Sequence, residues 1–144
     1  MRIAIAVFVL AGVLPEGAAA GQSAVASAGT GEILATVRIT QAVLANAKPL
    51  PAGTYELRTT GERPTPLAGQ SPDAERWVEF VANGTVVARE VAAVLRDDDL
   101  PSVGASSAPV RTGTRVEMLK DGDFLRVSVK RGGERYLVYL PVAR

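Results

Sequence analysis

The segment Thr114–Pro141, TRVEMLKDGDFLRVSVKRGGERYLVYLP, decides the fold. Apolar residues recur at every second position, and two glycine turns, Asp121-Gly122 and Gly132-Gly133, divide the segment into three runs. A period of two is the mark of a half-buried strand. If both turns hold two residues, the first pairs Met118 with Leu125, Val116 with Val127 and Thr114 with Val129. The second pairs Leu125 with Leu140, Val127 with Val138 and Val129 with Tyr136. The two registers are deduced separately, yet they place the same middle-strand residues inside. A one-residue slip would reverse every side chain, so the agreement predicts a three-stranded meander.

The rest of the chain repeats the pattern. Ile33, Ala35, Val37 and Ile39 alternate with Leu34, Thr36, Arg38 and Thr40, which predicts a strand with the first set inside. A short run, Ala42 to Asn46, is expected to end at Lys48-Pro49-Leu50-Pro51, because proline cannot donate to a ladder. Gly53 admits a strand over 54–60 with Tyr55, Leu57 and Thr59 on one face. Residues 61–73 carry three prolines and two glycines and read as a loop. Trp77 to Ala82 and Thr85 to Leu95 flank Asn83-Gly84, a hairpin signal because both central residues of a type I′ turn need positive φ. Loops at 61–73 and 97–112 are natural places for the chain to change sheets. The expected fold is all-β, a single antiparallel β-sandwich or small barrel of about eight strands.

The N-terminus differs. Arg2 precedes an apolar run from Ile3 to Leu14, then Pro15-Glu16-Gly17 and the small residues Ala18-Ala19-Ala20. This is the pattern of a secretory signal peptide, and the run is shorter than the roughly 20 residues of a membrane span. The division expected is a signal-peptide helix at 1–20, a flexible leader at 21–32 and a β-domain at 33–144. The address is then exported, periplasmic or extracellular, with no membrane span after cleavage. Export leaves ~115–120 residues, enough for one core.

Composition narrows the chemistry. The 144 residues carry 16 Lys plus Arg and 15 Asp plus Glu, a net charge of +1. Removing residues 1–20 takes Arg2 and Glu16, one of each sign, and leaves +1. That balance argues against electrostatic capture of nucleic acid. There is no cysteine and no histidine. The first absence removes disulfides and thiolate chemistry, and the second removes the usual general base and the commonest metal ligand. No cofactor and no metal are expected. Asp97-Asp98-Asp99 lacks the staggered spacing that Ca²⁺ demands.

The meander register also defines an outer face. It holds an apolar part (Leu119, Phe124, Leu137, Tyr139) and a basic part (Arg115, Arg126, Lys130, Arg135). Of these, Arg115, Phe124, Arg126, Lys130, Arg135 and Tyr139 are the candidate binding residues. Tyr139 and Phe124 offer flat contact area, and the cations suit an anion or a polar polymer. The partner expected is an envelope protein, a glycan or another copy of the chain. A sugar platform would draw on Trp77, Tyr55 and Tyr139. Two alternatives stay open. A small barrel carrying an apolar ligand needs an unfilled interior. A carboxylate-based hydrolase needs two acids across a cleft, and Glu56, Glu79, Glu90 and Glu117 are the strand-borne acids, each expected to point outward. A serine nucleophile lacks a base, with only Ser128 and Lys130 close in register. Arg89 falls on the core side if the Asn83-Gly84 hairpin is regular, so either a bulge turns it outward or a carboxylate must meet it inside.

The segment Lys48-Pro49-Leu50-Pro51-Ala52-Gly53-Thr54-Tyr55-Glu56-Leu57 is similar to the start of a strand in many secreted bacterial β-modules. Joined with Trp77-Val78-Glu79-Phe80 and Tyr136-Leu137-Val138-Tyr139-Leu140-Pro141, it gives most of the chain beyond the export segment a resemblance to a group of exported bacterial β-domain proteins with no assigned activity. The resemblance implies an exported address and an all-β fold, and it brings no functional residue.

Overall fold

The computed structural model describes residues 31–97 and 113–144. The expected export segment and most of the leader therefore lie outside the described residues, as do Asp98 and Asp99. Among the described residues nine strands form: β1 Ile33–Ile39, β2 Val43–Ala45, β3 Lys48–Leu50, β4 Gly53–Thr59, β5 Glu75–Ala82, β6 Thr85–Arg96, β7 Thr114–Leu119, β8 Phe124–Arg131 and β9 Glu134–Pro141. Seven make one antiparallel sheet in the order β1-β4-β5-β6-β9-β8-β7, nearly closed as a barrel. β2 and β3 make a separate hairpin. The fold is all-β, as expected.

The meander forms in the deduced register. Met118, Val116 and Thr114 pair with Leu125, Val127 and Val129, and these pair with Leu140, Val138 and Tyr136. Gly132 and Gly133 both take positive φ (59° and 80°), as a two-residue turn between right-twisted strands requires. The first turn opens into a single 3-10 turn, Lys120–Gly122, without disturbing the register. The Asn83-Gly84 hairpin also forms, with φ of 51° and 77°.

Three expectations need correction, and each turns on a local irregularity. The first strand does not alternate from Ile33. A bulge between Ile33 and Ala35 rotates the chain, so Leu34 is buried and Ile33 is exposed. The bulge expected near Arg89 is present in the Asn83-Gly84 hairpin, and what it overturns is the outward direction expected of Glu90. Val81 pairs with Val86 but Phe80 pairs with Ala88, so Val87 is the extra residue of a bulge. From there on the faces of β6 are exchanged: Arg89 turns outward beside Glu79, and Glu90 turns inward opposite Val78. Finally, Pro49 does not end the second run. It sits in β3 opposite Leu44, and Asn46-Ala47 makes the turn with both residues at positive φ (46° and 62°). A two-stranded hairpin has only edges, so proline is tolerated there.

Residues 61–73 join β4 to β5, which are direct neighbours, so this loop does not change sheets. Residues 98–112 of the second expected loop lie outside the described residues, and the strands that flank them, β6 and β7, are separated in the sheet by β9 and β8.

The barrel interior is filled. Val37, Ile39, Leu57, Val78, Phe80, Leu125, Val127, Val138 and Leu140 are all at most 1% exposed. Burying each such side chain stabilises by about 1.5–3 kcal/mol relative to exposure. Tyr55 meets Phe80 edge-on, with ring centroids 6.2 Å apart. One end of the barrel is stopped by the β2–β3 hairpin, whose Val43, Ala45 and Leu50 are wholly buried. Val43 bridges to Val142, and Glu90 accepts hydrogen bonds from the Asn46 and Val91 amides. The other end is polar. Arg76 enters from β5 and pairs with Glu134 at 3.1 Å, and Tyr136 donates to Glu134 at 2.6 Å.

The Pro-Ala-Gly-Thr-Tyr piece has a structural explanation. The Tyr55 hydroxyl donates to the Pro51 carbonyl at 2.7 Å. The ring then lies over Gly53, where a Cβ would come within 3.3 Å of that hydroxyl. Tyrosine and glycine are thus matched to each other, and burial raises the Tyr55 pKa.

Candidate outer-face recognition surface

The outer face of the meander is assembled by cross-strand pairing. Glu117, Arg126 and Tyr139 form one row, and Leu119, Phe124 and Pro141 the next. On the other side, Arg115, Ser128 and Leu137 continue onto β6 at Ala93, and Lys130 and Arg135 continue to Leu95. The six candidates therefore do share one surface. Tyr139 is 43% exposed and Leu95 37%, while Leu119, Phe124 and Leu137 are half-buried. A tyrosine so placed presents a flat, stiff contact with a polar tip.

The basic part is largely neutralised within the chain. Arg126 pairs with Glu117, and Arg115 Nε lies 3.0 Å from the same carboxylate. Lys130 Nζ lies 2.8 Å from Asp97. Arg135 has no ion-pair partner among the described residues, and its Nη2 is buried without a hydrogen-bond acceptor there. An open cationic patch for a polyanion is thus not what the face offers. Its distinctive component is the aromatic and aliphatic strip, bordered by paired charges.

Other sequence candidates are dispersed. Trp77 is half-buried on the outer face, where the Arg89 guanidinium stands 5.3 Å from its ring centroid. Tyr55 is inside the barrel, so Trp77, Tyr55 and Tyr139 do not make one sugar platform. The four strand acids are each held separately. Glu56 pairs with Arg58, Glu79 lies between Arg58 and Arg89 in register, Glu117 holds Arg126, and Glu90 faces inward onto backbone amides. No group of three or more metal-ligating side chains occurs among the described residues.

Two open grooves lie along β1 and β4. One, of about 210 Å³, is lined by Thr36, Glu56 and Arg58 beside the Asn83-Gly84 turn. The other, of about 350 Å³, is lined by Arg38, Thr40 and Gly53. Each touches the edge of the core, the first at Tyr55 and Val81 and the second at Ile39.

Sequence reasoning missed the polar end of the barrel. Arg76 was not singled out, because one arginine at a strand start carries no periodic signal. The Tyr136 hydroxyl also accepts from Arg76 at 3.3 Å. Burial and the Glu134 carboxylate push the Tyr136 pKa up to about 12.

Searches against family models, curated proteins and solved structures gave no match to the chain.

Proposed function

We propose that the chain is an exported, non-catalytic binding module of the cell envelope, and that the outer face of β8 and β9 is its recognition surface. The observation that carries this reading is the exposed Tyr139, set beside Phe124, Leu119 and Leu137 on a face where Arg115, Arg126 and Lys130 are already paired. Contiguous apolar surface of this kind is a mark of binding sites. The filled interior favours a surface over an enclosed apolar ligand, and the dispersed acids favour binding over hydrolysis. The export address rests on the pattern of residues 1–20. The partner is an envelope protein or a glycan, met by aromatic contact with polar groups at the border.

The test is capture from an envelope extract by the immobilised protein. Substituting Tyr139→Ala together with Arg126→Ala is expected to lower the captured material at least tenfold. Thr36→Ala with Arg38→Ala, on the outer face of β1, is expected to leave it unchanged. Equal capture by wild type and the Tyr139/Arg126 variant overturns the reading. Protease treatment of the extract separates a protein partner from a glycan.

A further inference from the structure

We propose that the outer edge of β7, which is unpaired among the described residues, pairs with β7 of a second copy, antiparallel, about a two-fold axis through Val116. β7 ends the sheet order and is laddered on one side only. The Gly113 carbonyl accepts from the Lys130 amide at 3.2 Å. In an antiparallel ladder, hydrogen-bonded pairs alternate with non-bonded ones. Arg115, Glu117 and Leu119 therefore direct their backbone groups to β8, and Thr114, Val116 and Met118 direct theirs to the open edge.

The same three residues show that the described residues leave this edge partly uncovered. Their register partners on β8, Val129, Val127 and Leu125, are at most 2% exposed. Thr114 is nevertheless exposed, Val116 is half-buried and Met118 is 42% exposed. Val116 still packs against the core, but among the described residues nothing covers the far side of β7 as β7 covers β8. β1 does not supply the next strand, because no ladder joins it to β7. Its Cα atoms come within 8 Å of β8 as well as of β7, whereas strands two apart in a flat sheet lie about 9.6 Å from each other. β1 thus packs across the inner side, where the Gln41 amide reaches Met118 Sδ at 3.6 Å.

The side chains select the occupant. A dimer axis at Val116 places Val116 opposite the partner's Val116 and Thr114 opposite the partner's Met118. Every pair then matches edge-directed backbone groups, each exchanging two hydrogen bonds. On the outer face Arg115, with its side chain 78% exposed, meets the partner's Glu117. Shifting the register by two residues either way sets Arg115 against the partner's Arg115, or Glu117 against the partner's Glu117. Like charges directly opposite are destabilising, so only one register is self-complementary. Outward charges on a short edge are also a device against association, and the experiment separates the two roles.

Sedimentation equilibrium of the purified protein, at up to roughly 100 µM, is expected to show a dimer. Arg115→Glu and Glu117→Arg, each alone, set like charges across the axis and are expected to weaken the dimer at least tenfold. An equal mixture of the two variants restores opposite charges at both contacts and is expected to recover a heterodimer. Thr114→Pro removes an edge-directed amide while leaving the β8 ladder intact, and is expected to give a folded monomer by circular dichroism. Monomeric wild type, single reversals that dimerise as wild type, a mixture that stays monomeric, or a Thr114→Pro dimer overturns the proposal.

Discussion

Tyr136 and Glu134, two residues apart on β9, share a hydrogen bond of 2.6 Å inside the polar end of the barrel. Arg76 joins both, and Arg96 and Asp73 extend the cluster outward. The Tyr136 hydroxyl is held protonated by burial and by the Glu134 carboxylate, so its pKa is about 12 against an ordinary 10. The native state binds this proton more tightly than the unfolded chain. Its contribution to stability is therefore complete below pH 10 and is lost as pH rises from 10 through about 12. Urea unfolding across that window is expected to show a fall in stability, which Tyr136→Phe reduces. A Tyr136→Phe protein with an unchanged alkaline profile would contradict the assignment.

The bulge in β1 makes a prediction opposite to plain alternation. Leu34→Ala removes a buried side chain and is expected to destabilise by about 2–4 kcal/mol. Ile33→Ala acts on an exposed position and is expected to cost less than about 1 kcal/mol. Denaturant midpoints of the two variants decide the matter.

The hairpin turn stores conformational strain at Ala47, which has a φ of 62°. An L-residue with a Cβ is disfavoured there, and glycine is not. Ala47→Gly is expected to stabilise by roughly 0.5 kcal/mol despite its freer unfolded state. The urea midpoint measures this.

Glu90 ties that turn to the barrel through the Asn46 amide. Glu90→Ala is expected to cost about 1–2 kcal/mol. It should also raise amide exchange in residues 43–50 more than in β8 or β9. Uniform loosening across the domain would argue against a tether.

The meander was legible because two glycine turns fix one register twice, so β8 is read from both sides. The outer-face candidates followed from that register, and Arg126 does lie between Glu117 and Tyr139. The bulge near Arg89 was legible, because a regular hairpin would set an arginine on the core side, but which residue it inserts was not, and neither was the bulge in β1. Nothing in the composition of Ile33-Leu34-Ala35 or Val86-Val87-Ala88 marks an extra residue, since every residue there is apolar and fits either face. Glu90 was read as outward because its inward role depends on amides of a distant hairpin, and Asn46-Ala47 lacks the glycine that announces such a turn. The pairing of Lys130 with Asp97 escaped for a similar reason: the partners are 33 positions apart (130 minus 97) and meet only after β6 and β8 are placed in one sheet.

The central claim is that the outer face of β8 and β9 meets a partner. A photocrosslinking residue installed at position 139 in the producing cells tests it most directly, with position 36 on β1 as the control. A discrete adduct is expected from 139 and none from 36. No adduct from 139, or equal adducts from both positions, would contradict it.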